Sequence, residues 1–426
     1  MRVLYFHQHF TTPDGSGGTR SYEMARALIA RGHQVTMVCG SPSFAKVDVP
    51  EIRGKGYHRG IIDGIDVIVL PLPYSNKDSI AKRTLLFTRF ALRSVGLALR
   101  EPYDLLFATS TPITAGVPGI VMKLLGRRKP FVFEVRDLWP ELPRALGMRN
   151  PILLGGMSIL EWLSYRCADA AVGLAPGIVE SIRGRSKPGL PISMIPNGCD
   201  LDLFNPGLKG TFRIPGTTPG DFIAGFTGAH GIANGLDAVL DAAAELKLRG
   251  REEIKLLFVG DGKVKDALKD RANREGLTNC LFMDPINKRD VAKLTASLDC
   301  GLMILANVPA FYYGTSPNKF FDYLSSGIPV INNYPGWLAD LIRKHGCGVV
   351  AEAGNAASMA DGLCAMADNR RRCQDMGKNG RALAESEFRR DLLTAKLTNL
   401  LESVHTAFSA KKTFVSATHN AESRVR

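Results

Sequence analysis

The sequence predicts an α/β protein of two doubly wound, Rossmann-like domains, on three observations. Short apolar runs alternate with helical patterns along most of the chain. The alternation restarts after a polar stretch at 205–220 that contains Pro and Gly. The chain has 426 residues, 45% of them hydrophobic, more than a single core usually organises. Strands that alternate with helices build parallel sheets covered on both faces by crossover helices.

The first series of strand candidates is VLYF (3–6), QVTMV (34–38), DVIVL (66–70), DLLFA (104–108), FVFEV (131–135), AAVGL (170–174) and ISMIP (192–196). A Gly-rich loop and a helical stretch at 22–30 separate the first two. The second series begins at FIAGF (222–226), followed by a helix over 234–247. IKLLFVG (254–260), CLFMD (280–284), CGLMI (300–304) and the apolar residues 328–331 continue it. The expected domains are 1–205 and 206–390. A helix over 391–408 is long enough to cross back to the first domain, and 409–426, without apolar periodicity, reads as a mobile tail. In such folds ligands bind at the carboxyl ends of the strands, so candidate residues are sought just after them.

The start of the chain reads as a strand and not as a leader, and no apolar stretch reaches the ~18 residues of a membrane span. Together these predict a cytoplasmic protein. The eight cysteines form no CxxC pair and no zinc-finger spacing, which leaves them as buried or incidental thiols. Net charge is +13, and residues 1–130 hold 18 Lys or Arg against 9 Asp or Glu. A local basic excess suits an anionic partner, and a plain solvated surface gives the same count. No nucleic-acid motif accompanies the charge, so no nucleic-acid partner is expected.

The segment 314–329 reads GTSPNKFFDYLSSGIP. Ser316 is a good N-cap and Pro317 a good first helical residue; Gly327 and Pro329 stop the helix. A helix over 317–326 then begins after a Gly-containing loop, and its free N–H groups attract anions. Lys319 adds a full charge there. A cation at a helix start costs the helix something, which a bound phosphate would offset. Asp322 follows three residues later. A well-capped surface helix with an i,i+3 ion pair explains the same residues without a ligand.

Five segments occur in a familiar order: DGSGGTRSYEMARALIARGHQV (14–35), VRDLWPE (135–141), IPNGCDLDLF (195–204), FVGDGK (258–263) and SPNKFFDYLSSGIPVI (316–331). In these segments the chain resembles the retaining glycosyltransferases of family 4, with the GT-B fold of two Rossmann-like domains facing a deep cleft. VRDLWPE resembles the branch that builds bacterial O-antigen and capsule sugars, including N-acetyl-L-fucosamine transferases. The resemblance implies an acceptor-side first domain and a nucleotide-sugar-binding second domain. It implies donor contacts at Gly17, Gly18, Gly228, Lys263, Pro285, Ile286, Thr315, Ser316, Asn318, Lys319 and Asp322. Lys319 and the 316–319 amides would hold the diphosphate, Asp322 the ribose, and 285–286 the base. Thr19 and Glu141 fall on the acceptor side, and Lys319, Arg136 and Asp137 nearest the reaction. Asp137 reads equally as a helix cap. Asn197 and Gly198 read first as an interdomain turn, and His7 and His9 as solvated loop histidines.

Three positions depart from the family pattern. The first Glu of its E-x7-E motif falls on Gly314. The Arg…Lys pair that neutralises the diphosphate is replaced within GFTGAHGIANG (225–235) by Ala229 or His230 and Asn234. The usual His before Asp137 is Arg136, which suggests a 6-deoxy, uronic or otherwise modified donor sugar; the resemblance as a whole implies a 6-deoxy or N-acetylated one. The resemblance implies no metal and no cofactor beyond the UDP-sugar substrate; the single DLD, at 200–202, lies inside the interdomain motif. It also implies retention by front-face attack, with the leaving phosphate taking the acceptor's proton.

The stretch 81–100 predicts a helix with Lys82, Arg89, Arg93 and Arg100 on one stripe and Leu85, Leu86, Phe87, Phe90, Leu92 and Val95 elsewhere. It reads as a peripheral anchor on the anionic inner face of the cell membrane, or as a crossover helix with a solvated basic stripe. An anchor would suit the undecaprenyl-diphosphate-linked sugar acceptors of this branch. Two rivals remain open: a UDP-sugar 2-epimerase of the same fold and a non-catalytic nucleotide-sugar-binding module.

Overall fold

A computed structural model describes residues 1–423 apart from 53–54, 76–77 and 126–128; for 411–423 it describes the backbone only. The first sheet contains β1 (Arg2–Phe6), β2 (Gln34–Pro42), β3 (Glu51–Ile52), β4 (Tyr57–Ile62), β5 (Ile65–Tyr74), β6 (Leu105–Thr109), β7 (Phe131–Val135), β8 (Ala170–Gly173) and β9 (Ile192–Met194). Their order is β3-β4-β5-β2-β1-β6-β7-β8-β9. The second sheet contains β10 (Phe222–Thr227), β11 (Ile254–Val259), β12 (Cys280–Met283), β13 (Cys300–Met303), β14 (Val330–Asn332) and β15 (Gly348–Val350). Its order is β12-β11-β10-β13-β14-β15.

Every expected strand forms, within a few residues of its expected ends. The apolar runs are buried because helices cover both faces: β6 and β7 bury all five of their residues. The antiparallel β3–β4 hairpin and β15 were not expected. β4 reads YHRGII, with its side chains half-buried or exposed after Tyr57, and β15 has three residues; neither carries a clear period. Strand order reverses beside β1 and beside β10, so in both sheets the loops that follow these strands open at a switch point.

The long final helix, Arg390–Ser423, does cross back. It packs on the Arg20–Ala30 helix, where Glu402 pairs with Arg31 and His33 of the first domain. Residues 409–423, expected as a tail without apolar periodicity, continue this helix. The segment SAKKTFVSATHNAES has neither Pro nor Gly to stop a helix already under way. Residues 424–426 lie outside the described residues.

Candidate functional site

The loop after β13 leads into a helix at Asn318–Ser325. Phe320, Phe321, Tyr323 and Leu324 are fully buried and fix its pose. The Tyr323 hydroxyl accepts from the Thr227 N–H at 3.2 Å and donates to the Gly225 carbonyl at 3.0 Å, which locks the helix to β10. Gly327, with φ at +66°, ends it as expected. Its start differs from expectation. Pro317 holds the N-cap position, and the Ser316 side chain caps nothing. Instead Ser316 Oγ accepts the Asn197 N–H at 3.0 Å, and the Asn197 amide donates to the Ser316 carbonyl. A cap must face its own helix; this hydroxyl has been taken by the segment that joins the domains. Asn197 is thus more than a turn residue, and sequence distance concealed its partner.

Lys319 projects towards β10. Its ammonium lies 3.7 Å from the centroid of the Phe226 ring and 3.3 Å from Asn234 Oδ1. A side chain at Gly228 would place its Cβ 3.5 Å from Lys319 Nζ, so the glycine leaves that space open. Among the described residues no carboxylate pairs with this cation, and burial pushes its pKa down to about 7. Asn234, at the place of a family lysine, orients Lys319 in place of adding charge. His230 is buried, with neither ring nitrogen partnered. Burial, and next the nearby Lys265, push its pKa down to about 4, so it is neutral and supplies no charge. Lys263 is exposed on the loop after β11, and no described bond joins it to this cluster.

Asp322 is buried and meets Lys288 Nζ at 3.0 Å. The sequence reading missed Lys288, because a lysine at the start of the Lys288–Ala296 helix looks solvated and its partner is 34 residues away. Pro285 and Ile286 form the loop just before that helix; Pro285 is exposed and Ile286 half-buried. Arg289 comes within 3.9 Å of Asp14, so this segment faces the glycine loop of the first domain. A small cavity between the domains is lined by Thr19, Asn197, Lys288, Asn318, Asp322 and Arg390.

The glycine loop reaches the helix start directly. A Cβ at Gly18 would sit 2.6 Å from Asn318 Nδ2, and one at Gly17 would sit 3.0 Å from the Phe44 ring. Absent side chains here permit the approach. Behind the loop, Arg20 is buried against Glu134 at 2.7 Å and donates to the Ile195 and Pro196 carbonyls. Thr109 donates to the other Glu134 oxygen at 2.7 Å. Burial opposes the Glu134 charge, but Arg20 outweighs it and the carboxylate's pKa falls. The bonding partners of this pair make it a strut that fixes the loop, not a reacting group.

On the acceptor side, Arg136 extends from the end of β7. Its N–H donates to Ser110 Oγ at 2.9 Å and its guanidinium lies 3.2 Å from His7 Nε2. His7 is 2% exposed. Burial first, then Arg136, push its pKa well down. The neutral ring accepts from Arg136 at Nε2, leaving Nδ1 as an unpartnered donor. Asp137 is not a helix cap: it accepts from Thr111 Oγ1 at 3.0 Å, and burial raises its pKa.

Residues 15–198 match the glycosyl transferase 4-like domain and residues 211–383 match glycosyl transferases group 1. Over these residues the chain belongs to the glycosyl transferase 4-like and glycosyl transferases group 1 families.

Two curated relatives are similar over part of their length. A D-inositol 3-phosphate glycosyltransferase of Nocardia farcinica is 28% identical over 195 residues, 44% of this chain and 42% of the relative. A GDP-mannose-dependent monoacylated alpha-(1-6)-phosphatidylinositol monomannoside mannosyltransferase of Corynebacterium glutamicum is 24% identical over 229 residues, 49% of this chain and 55% of the relative. The chain thus spans about half the length of the curated relatives it matches. Among solved structures, sucrose-phosphate synthase from Thermosynechococcus elongatus superposes with a TM-score of 0.75 at 17% identity, covering 95% of this chain and 99% of the other. Anabaena HepE in complex with UDP and glucose gives 0.68 at 18%, covering 95% and 100%. WaaG, a glycosyltransferase involved in lipopolysaccharide biosynthesis, gives 0.67 at 16%, covering 94% and 99%. These likenesses establish the GT-B fold.

In this glycosyltransferase two of the expected residues are partly engaged, and one expectation needs correction. Glu141 is paired through Oε1 with Arg185, which also meets Glu161 at 2.8 Å, while its Oε2 is buried without a hydrogen-bond partner. His7 and His9 are not solvated loop histidines; aromatic and basic neighbours from distant segments enclose them. Thr315 has its own groups engaged: its hydroxyl donates to the Phe311 carbonyl and its carbonyl accepts from Trp337. The departure at Gly314 also acquires a cause. A Cβ there would lie 2.7 Å from the Ala310 carbonyl oxygen and 3.2 Å from Leu138. The site of the family's first Glu is therefore filled by backbone and an apolar side chain.

Proposed function

We propose that this glycosyltransferase moves a sugar, with retention, from a UDP-sugar to a lipid-linked or glycan acceptor in bacterial surface polysaccharide biosynthesis. One observation carries the reading. Lys319 holds a cation at a helix start, half-buried, beside an open glycine face and without a described carboxylate partner. An uncompensated charge of this kind is costly unless an anion occupies the site. A leaving diphosphate is such an anion, and the helix-start amides at 316–319 add to its stabilisation. The structural likeness to proteins held with UDP and glucose supports the donor class, and likeness to WaaG supports the pathway class. Asp322, paired with Lys288, is proposed to receive the ribose, and 285–286 the base. We propose that no metal takes part, because Lys319 and the amides supply the positive potential. Arg136 is proposed to face the donor sugar; with Gly314 closed by Leu138, this favours a modified sugar.

The test is incubation of the full chain with UDP- and GDP-sugars and bacterial membranes, beside Lys319→Ala. Sugar transfer that falls by ~10²-fold or more in the variant is expected. Near-normal transfer by Lys319→Ala would place the diphosphate elsewhere. A C2-epimerised donor would favour the epimerase, and binding without turnover the non-catalytic module.

A peripheral membrane position is proposed as well. The Ile80–Arg100 helix turns Leu86 and Phe90 into the core and leaves Ile80, Leu85, Leu92, Lys82 and Arg89 exposed. Through the Val117–Leu124 helix it is joined to the Pro151–Cys167 helix, which exposes Ile152, Ile159 and Trp162. The sole acid on these three helices, Glu161, is turned to Arg185. An apolar face with only basic charge suits anionic lipid, and flotation with anionic vesicles checks it.

A further inference from the structure

One cluster on the first domain has no part in the donor reading. His9, just after β1, lies edge-on to Tyr74 with ring centroids 4.6 Å apart. Phe44 and Phe87 lie 6.0 and 6.1 Å from the same imidazole. Tyr74 and Phe87 stack at 5.8 Å, and the Arg83 guanidinium lies 5.7 and 6.0 Å from their ring centroids. Three of these groups come from loops or strands of the sheet's carboxyl end; Arg83 and Phe87 come from the inner side of the Ile80–Arg100 helix. Tyr74 is buried at the back, and His9, Phe44, Arg83 and Phe87 are half-buried, so the recess is reachable from solvent only at these four.

Two features mark it as more than packing. His9 Nδ1 is buried without a hydrogen-bond partner. Next to it, Gln8 is 1% exposed and neither end of its amide has a partner. Native interiors rarely leave such groups unmade without a ligand or water to complete them. The second feature is charge. Burial, then Arg136 and Arg83, push the His9 pKa down to about 3, so two arginines act on one neutral ring. Asp78, an acid whose charge Arg83 acts on, is already held by Lys82 and the Ser75 N–H.

The recess also adjoins the donor side. Phe44 packs beneath Gly17, and the next residue, Gly18, touches Asn318. We infer that this recess is the acceptor subsite, and that it takes a pyranose ring bearing an adjacent anionic group. The apolar face of the ring lies against the half-buried Phe87 ring. The imidazole of His9 makes the hydrogen bond it now lacks to a ring hydroxyl. The anionic group, a phosphate or a carboxylate, takes Arg83. The inference rests on the donor reading only in assigning the opposite side of the cleft to the acceptor.

The experiment is calorimetric titration of the full chain with the donor site first saturated by UDP. The probes are N-acetylglucosamine 1-phosphate, glucuronic acid and the neutral methyl glucoside. Binding of at least one anionic probe is expected, and which of them binds identifies the anion as phosphate or carboxylate. Arg83→Gln should weaken that probe about tenfold, and Phe87→Leu, which keeps an apolar group, several-fold. UDP affinity in both variants should match the parent, which shows that they fold. Binding of neither anionic probe, equal binding of the methyl glucoside, or an unchanged affinity in Arg83→Gln would each overturn the inference. Failure of the parent chain to bind UDP is a separate result, and counts against the donor reading.

Discussion

Lys319 carries two opposed consequences of one burial. Its pKa falls from the usual lysine value to about 7 because desolvation disfavours the charge. The unfolded chain keeps this proton to a higher pH than the folded one. Stability therefore rises with pH from about 7 towards the ordinary lysine range, where the unfolded side chain also becomes neutral. Binding has the opposite sign. A diphosphate prefers the ammonium, so UDP affinity should be full below pH 7 and decline as pH rises above it. Lys319→Met should remove both effects: it should melt higher than the parent at pH 6, with a smaller gain at pH 9, and bind UDP weakly at either pH. Thermal unfolding and UDP titration at the two pH values measure this; a variant no more stable at pH 6 would contradict it. This residue was legible in the sequence because its meaning depends on a local feature, the start of a helix. Lys288, His9 and Asn197 were not, because their partners Asp322, Tyr74 and Ser316 arrive from distant segments.

Elements were legible where a period or a stop signal sits in the sequence, which is why twelve strand candidates reappear while β3, β4 and β15 do not. Which side of an element meets solvent is a different question. The Ile80–Arg100 helix reads as basic on one stripe and apolar elsewhere, yet Arg93 of that stripe is tied to the Gly56 carbonyl while Leu85 and Leu92 of the apolar part are exposed. The neighbouring helices decide this, and they also extend the exposed face to Trp162, where Arg166 lies 5.4 Å from the ring centroid. If that face meets anionic lipid, the double variant Arg89→Glu, Trp162→Ser should lose at least tenfold in vesicle binding, from a reversed charge and a lost interfacial aromatic ring. Flotation with anionic vesicles reads it directly. Undiminished binding would return the helix to its plainer role as a crossover with a solvated stripe.

At the scale of the molecule, the question is what brings an acceptor on the first domain to a donor on the second. Arg390, at the start of the crossover helix, pairs with Glu23 and Asp200, both at 3.1 Å, and so clasps the first domain to the interdomain segment. Across the cleft the approach is narrower, at Gly18 and Asn318. An alanine at Gly18 meets only the end of the Asn318 side chain, which can turn aside. A valine adds two methyl groups at the same point, and its stiff χ1 leaves them little freedom to avoid it. Lys319, Gly228 and Asn234 all belong to the second domain, so UDP affinity in Gly18→Val should stay within about threefold of the parent. Sugar transfer needs both domains in register, and a displacement of about 1 Å between reacting groups can cost ~10²-fold. Gly18→Val should therefore lose transfer by about that factor while Gly18→Ala loses much less, with UDP titration as the control in each. Equal loss of UDP binding and transfer would mean that the glycine loop shapes the nucleotide site itself, not the closure of one domain upon the other.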